Sequence, residues 1–309
     1  MRGMTTGLLL SVLLLAGCRL APVAPGAAAP ARPSGGPLQV AVSVAPQAYF
    51  VERIGGRHVR VEVMIPPGYS HVDYPLTPWK VMALQRAALY IEVGHPGFEF
   101  ESRFIDPYLA GRPDVRVVDM SEGMDLIEEG HGEGSHPEDE HGHDHSSGDP
   151  HVWVSPGSVR VAAGNIAAAL IELDPAHAAD YRANLRRFLA DIDRLDREIR
   201  ARLAGREGAA FMVYHPDWGY FAREYGLRQV AIESGGKEPS ARRLIRLIEE
   251  ARADGVKVIF VQGGFPRKSA QVIADAVGAR VVTADPQREE WLDNLREVSV
   301  ALEEALPRA

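Results

Sequence analysis

Residues 174–203 read DPAHAADYRANLRRFLADIDRLDREIRARL and form the longest helical pattern in the chain. Apolar residues recur in this segment at spacings of three and four, which places them on one face of a helix. They are Tyr181, Leu185, Phe188, Ile192, Leu195, Ile199 and Leu203. Asp174 suits the N-cap and Pro175 the first turn. Thirty residues rise roughly 45 Å, which is long for a helix inside one domain, so we expect a rod that joins two lobes.

Strand and helix patterns alternate on both sides of this rod. Short apolar strands are predicted before it over residues 38–44, 59–65, 89–94 and 115–120, and after it over residues 209–214, 229–233, 256–262 and 279–284. Alternating strands and helices predict parallel sheets covered by helices. The expected fold class is therefore α/β, with two lobes that each hold a four-stranded, mainly parallel sheet. We expect an N-terminal lobe over 38–173, the linking helix over 174–206 and a C-terminal lobe over 207–309.

The composition limits the function classes. The 309 residues are 46% hydrophobic and 25% charged, which is ordinary for a globular protein and excludes a polytopic membrane protein or a mostly disordered chain. A net charge of −8 argues against a nucleic-acid binder. The single cysteine excludes an intramolecular disulfide and a cysteine-based zinc site. Any metal must therefore be held by histidines and carboxylates.

The amino-terminal residues have the pattern of an export signal. Residues 1–17, MRGMTTGLLLSVLLLAG, combine one arginine with an apolar stretch too short to span a bilayer. They end in Leu-Ala-Gly before Cys18, which resembles the lipobox of bacterial lipoproteins, and we expect Cys18 to be lipidated; the alternative is an ordinary signal peptide with an incidental cysteine. Residues 18–37 are rich in Ala, Pro and Gly and predict a tether. The protein is thus expected at the periplasmic or extracellular face of a membrane.

Residues 121–150 interrupt the alternation with an acidic, histidine-rich loop. They contain ten acidic residues and no lysine or arginine, so this loop holds the acidic excess of the chain. Five of the eleven histidines lie in it: His131, His136, His141, His143 and His145. Histidine-rich tracts are typical of metal binding, and the carboxylates attract divalent cations. We interpret the loop as an auxiliary metal-collecting segment; the alternative is a solvated acidic linker.

Four polar residues lie just after predicted strands or where structure resumes. They are His71, His151, His215 and Asp285. Ligands of open α/β sheets bind at the carboxyl ends of the strands, so these side chains could converge in one cleft. A set of His and Asp without Cys suits zinc or manganese. Taken alone, a residue in such a position is more often a surface or helix-capping residue.

Several segments in this order resemble the zinc/manganese substrate-binding lipoproteins of bacterial ABC transporters. They are residues 149–156 (DPHVWVSP), 213–221 (VYHPDWGYF), 232–233 (IE), 236–240 (GKEPS) and 285–286 (DP). The resemblance covers Leu38 to about Leu306. It implies two α/β lobes joined by one helix, with a metal between them, and it implies that His151, His215 and Asp285 are ligands. The acidic loop is similar to that of the zinc-specific members.

The first histidine departs from the family pattern. The run from Gly68 to Pro78 reads GYSHVDYPLTP, and alignment of its ends places the family histidine on Val72, one residue after His71. We expect His71 to be the ligand after a local adjustment of the loop, with Asp73 as the alternative oxygen ligand. The run FVQGG at residues 260–264 also differs from the family, and we expect it near the cleft.

The resemblance implies a binding protein and not an enzyme. We expect a monomer that captures Zn²⁺ with high affinity outside the cytoplasmic membrane and delivers it to the membrane subunits of an ABC permease. Manganese or iron binding is the alternative within the family. A metal-dependent hydrolase would need an open coordination position and a base such as Glu233 or Glu238. A receptor for cobalamin or another metal chelate would share the two-lobe plan, and an adhesin role is compatible with the same fold.

Overall fold

Two parallel sheets organise the computed structural model, which describes residues 36–69, 71, 74–128, 148–233 and 236–307. Each sheet has four strands, and every pairing within it is parallel. All eight predicted strands are present, and their ends differ from the prediction by at most two residues. The predicted α/β class, with two four-stranded sheets and one long joining helix, is confirmed.

The first sheet has the strand order β2-β1-β3-β4. Its strands are β1 (Leu38–Val42), β2 (Val59–Val63), β3 (Leu89–Glu92) and β4 (Arg116–Asp119). The helices of this half are α1 (Ala45–Gly55), α2 (Pro78–Arg86), α3 (Asp106–Leu109, preceded by a π-helical turn at Glu101–Ile105) and α4 (Pro156–Leu173). The chain places β2 on one side of β1 and β3 on the other, so the order of the strands reverses beside β1. Ligands of such sheets bind at the carboxyl ends of the strands next to this point.

The second sheet repeats this topology with the order β6-β5-β7-β8. Its strands are β5 (Ala210–Val213), β6 (Arg228–Ala231), β7 (Val258–Val261) and β8 (Arg280–Thr283). The accompanying helices are α6 (Gly219–Glu224), α7 (Ala241–Ala253), α8 (Lys268–Val277) and α9 (Trp291–Ala305). Ser240 caps α7, because its side chain accepts a hydrogen bond from the backbone N–H of Arg243.

The joining helix α5 spans Ala178–Leu203, 26 residues or about 39 Å. It begins four residues later than predicted, after a short 3₁₀ turn at Pro175–His177. The carboxylate of Asp174 does not cap it, because that group accepts a hydrogen bond from the hydroxyl of Tyr181 (2.6 Å) and contacts the ring of His177. Within the described ranges, no helix has both the length and the hydropathy needed to cross a bilayer.

One hydrophobic core reaches both sheets. The predicted apolar face of α5 is buried at six of its seven positions, and Leu185 is partly buried. Phe188 in α5 packs against Phe50 of α1 and Trp291 of α9, with ring centroids 6.0 and 6.3 Å away. Strand residues of the second sheet, including Phe211 and Phe260, belong to the same cluster as those of β1 and β3. Any large movement of one sheet relative to the other would expose this shared surface to water.

Candidate metal centre

Three of the four predicted strand-end residues meet in one place. His71 lies in the loop after β2, His151 precedes a 3₁₀ turn at Val152–Val154, and His215 follows β5. One ring nitrogen from each lies within 4.8 Å of the other two. His71 and His151 are 5% and 3% exposed, so their rings are held away from bulk water.

The spacing of these nitrogens suits a single zinc ion. The Nε2 atoms of His71 and His151 are 3.1 Å apart. Zinc binds imidazole nitrogen at about 2.0–2.1 Å, and tetrahedral angles then require about 3.3 Å between two nitrogens. The two rings therefore already lie close to the separation that a shared ion would impose.

Asp149 orients the ring of His151. Its Oδ1 accepts hydrogen bonds from Nδ1 of that ring (2.7 Å) and from the backbone N–H of His151 (2.9 Å). A carboxylate can only accept, so the proton of the neutral ring is on Nδ1 and the lone pair of Nε2 faces the cluster. Burial lowers the pKa of His151, while the hydrogen bond to Asp149 acts in the opposite direction. Burial thus favours the neutral, metal-binding form of this ring.

Glu233 orients the ring of His215 in the same way. It follows β6, is buried, and its Oε1 accepts a hydrogen bond from Nδ1 of His215 at 2.6 Å. The lone pair of His215 Nε2 is therefore available to a metal. Carboxylates that fix the tautomer and ring direction of a ligating histidine are a recurring feature of zinc sites.

His71 joins the cluster although it stands one residue before the family position. Its ring stacks on that of Phe98, with centroids 4.9 Å apart and ring planes inclined by 23°, and meets the ring of His151 edge-on at 5.1 Å. The aligned position Val72 and the alternative ligand Asp73 lie outside the described residues. His71 thus lies beside the other two rings, and its role as a ligand stays a prediction.

Asp285 follows β8 but does not belong to the group of three nitrogens. Its Oδ1 accepts a hydrogen bond from the backbone N–H of Gln287 (2.9 Å), and burial raises the pKa of the carboxyl. The neighbouring carbonyl of Pro286 accepts a hydrogen bond from the indole of Trp153 (2.9 Å), two residues after His151. Asp285 is therefore anchored beside the ligand-bearing turn, and its role as a fourth ligand stays a prediction.

Four acidic residues lie near the cluster, of which Asp217 and Glu233 are buried and Asp149 and Asp285 partly buried. Asp217 is only 1% exposed, and burial raises the pKa of its carboxyl well above the usual value. Asp149, Asp285 and Glu233 raise that pKa further through their negative charges, so each of them lies close enough to Asp217 to act on it. The negative charges of Asp149, Asp285 and Glu233 favour a cation at this position.

Several residues of the site were not given a role by the sequence. Asp149 stands two residues before His151, and that spacing could have suggested the hydrogen bond. Glu233 is 18 residues from His215 and entered the sequence analysis only as a hypothetical base. Phe98 and His95 follow β3, and nothing in the sequence connects them to His71 or His151. The loop histidines 131, 136, 141, 143 and 145, and Cys18, lie outside the described residues.

Comparisons with known proteins identify the family of the chain. Residues 40–305 match the family described as zinc-uptake complex component A, periplasmic. The high-affinity zinc uptake system protein ZnuA of Bacillus subtilis is 30% identical over 254 residues, which are 80% of this chain and 77% of that protein. A crystal structure of ZnuA superposes with a TM-score of 0.78 at 34% identity, covering 87% of this chain and 99% of the other. The crystal structure of a ZnuA deletion mutant with zinc bound superposes with a TM-score of 0.77 at 35% identity. The match covers 88% of this chain and 99% of the other.

Proposed function

Because the chain belongs to the family of periplasmic zinc-uptake component A proteins, we propose that it captures Zn²⁺ outside the cytoplasmic membrane and delivers it to an ABC permease for uptake. The observation that carries this proposal is the buried group formed by His71, His151 and His215, whose ligand nitrogens all lie within 4.8 Å. Zinc is the cargo of this site, which binds it outside the membrane and releases it to the next protein.

The donor set favours zinc over manganese. Imidazole nitrogens suit zinc, whereas manganese prefers oxygen ligands. Asp149 and Glu233 strengthen the preference, because a carboxylate that accepts the Nδ1 proton makes Nε2 a better donor. Asp285 completes the proposed set as the fourth ligand. On metal binding one oxygen of Asp285 would have to approach the three nitrogens, since the carboxylate does not belong to their group.

We propose binding and not catalysis at this centre. A catalytic zinc site keeps one coordination position for water. With three imidazoles and Asp285 as ligands, all four tetrahedral positions would be filled by the protein. Glu233, the candidate base of the hydrolase alternative, is engaged with His215 at 2.6 Å and serves to orient that ring.

The proposal includes a lipid anchor and a collecting loop. Cys18 would carry the acyl chains, and residues 18–37 would tether the folded part to the membrane. The loop over 121–150, with its five histidines, would raise the local zinc concentration beside His151. A Cys18→Ser variant is expected to lose palmitate labelling and to leave the membrane fraction, whereas continued labelling would overturn the anchor.

Zinc titration against a chelator of known affinity tests the central proposal. The protein should be studied with residues 129–147 deleted, so that weak sites on the loop do not mask the tight one. One tight zinc is expected, and His151→Ala or His215→Ala should each weaken it by more than about 100-fold, beyond the usual effect of losing an orienting partner. His58→Ala is the matched control, because that ring contacts Asp180 (2.8 Å) and lies outside the site. The proposal fails if the deleted protein has no tight site or if the ligand variants bind as the control does.

A further inference from the structure

The ring of Phe98 forms one wall of the metal centre. It is 1% exposed and lies almost parallel to the ring of His71, at 4.9 Å and 23°. Its own surroundings are aromatic, since Trp153 meets it edge-on at 6.1 Å and Phe100 at 6.4 Å. Trp153 in turn contacts the ring of His151 at 5.3 Å. Phe98 therefore lies between one ligand histidine and the packing that supports another.

The backbone that carries Phe98 is firmly held. The carboxyl group of Glu101 accepts hydrogen bonds from the N–H groups of Val93 (2.7 Å) and Gly94 (3.0 Å), and it is also hydrogen-bonded to the hydroxyl of Ser43. The N–H of Phe98 donates to the carbonyl of His95 at 2.8 Å. These contacts fix the loop after β3 to the end of β1, so the phenyl ring has a defined place before any metal arrives.

A stacked phenyl ring supports a metal-bound imidazole more strongly than a free one. The face of a phenyl ring is electron-rich, and an imidazole that donates its lone pair to Zn²⁺ becomes electron-poor. The contact therefore gains strength when the cation binds. It also fixes the plane of His71, which reduces the ordering that metal binding would otherwise require.

We propose that Phe98 is a positioning residue for zinc binding, which holds the ring of His71 so that its Nε2 faces the ion. This inference rests on the proposed function, because it assigns a role at the same site. It predicts that Phe98 contributes to zinc affinity only through its contact with the ring of His71.

The first test replaces the ring while keeping an apolar side chain. Phe98→Leu is expected to lower zinc affinity by about tenfold, the size of a desolvated aromatic contact. The visible spectrum of the Co²⁺-loaded protein should change as well, because it reports the ligand geometry. Phe188→Leu is the matched control, since Phe188 is as fully buried and its ring packs on Tyr49 and Phe50 in the shared core. It should lose comparable thermal stability and keep the zinc affinity and Co²⁺ spectrum of the unmodified protein.

A double-mutant cycle with His71→Ala separates positioning from general packing. In the His71→Ala background, Phe98→Leu is expected to have no further effect on zinc affinity. Additive losses, or equal affinity in Phe98→Leu and Phe188→Leu, would overturn the inference. If Phe98→Leu does not fold, Phe98→Met gives the same comparison with a side chain of similar volume. Failure of the unmodified protein to bind zinc would overturn the proposed function and this inference together, whereas normal binding with an unchanged Phe98→Leu overturns this inference alone.

Discussion

Gly219, the first residue of α6, leaves room for the carboxylate that orients His151. A Cβ at this position would lie 2.3 Å from Oδ2 of Asp149 and 3.6 Å from the side chain of Ile127. An ordinary contact needs at least 3.4 Å, so Gly219→Ala should displace the carboxylate by about 1 Å. The hydrogen bond from Nδ1 of His151 to Oδ1 of the same carboxylate, now 2.7 Å, should then lengthen and weaken.

The expected loss follows from the role of that hydrogen bond. Removing the partner that orients a metal-bound histidine typically costs 10- to 100-fold in metal affinity, or about 1.4–2.7 kcal/mol. Chelator competition with zinc measures this directly. Gly164→Ala is the control: Gly164 lies in α4, and a Cβ added there would meet nothing within 4 Å, so alanine should stabilise the helix by about 0.5–1 kcal/mol and leave zinc affinity unchanged. Equal zinc affinity in the two variants would refute the argument that Asp149 holds His151 in its binding orientation.

The remaining predictions concern stability. Burial raises the pKa of Glu101 to about 8, so above pH 4.5 the folded state keeps a proton that the unfolded state loses, and stability should fall as pH rises toward 8. In Glu101→Gln, the free energy of unfolding measured with urea at about pH 6 and pH 8 should differ less between the two pH values than in the unmodified protein. An equal difference in both proteins would contradict the raised pKa of Glu101. Phe188→Ala, at a fully buried position of α5, should lower the free energy of unfolding by about 3–5 kcal/mol in the same assay. A decrease of less than about 1 kcal/mol would argue against a core shared by the two sheets. Ser240→Ala should lower the free energy of unfolding by about 1 kcal/mol, because α7 loses its N-cap, and it should leave zinc affinity unchanged.

The shared core bears on how zinc would leave the site. Trp153 donates its indole N–H to the carbonyl of Pro286, and Trp291 donates to the carbonyl of Trp153 at 2.6 Å. These hydrogen bonds tie the turn after His151 to the loop of Asp285 and to α9. A wide opening between the two sheets would break them and expose the apolar face of α5. We therefore expect release through small displacements of the ligands, such as a shift of the loop that carries His71.

The elements of the fold were readable from the sequence because each depends on neighbours along the chain. Periodic apolar residues predicted α5, and short β-branched runs between turn residues predicted the strands. The start of α5 was wrong by four residues, because the carboxylate of Asp174 bonds Tyr181 and contacts His177 instead of capping the helix. That choice depends on side-chain packing, which a local pattern does not contain.

The sequence by itself also determined which residues could bind a metal, since it offers one cysteine and places histidines after its strands. Only the tertiary structure decided that His71, His151 and His215 meet, that Asp149 and Glu233 orient two of them, and that Phe98 supports the third. The physical reason is distance along the chain: the three histidines are separated by 80 and 64 residues. Parallel strands gather their carboxyl ends at one edge of each sheet, and the shared core around α5 fixes the two edges together. The packing of the folded chain decides which side chains come together around a metal, whereas the sequence decides only which side chains are able to bind one.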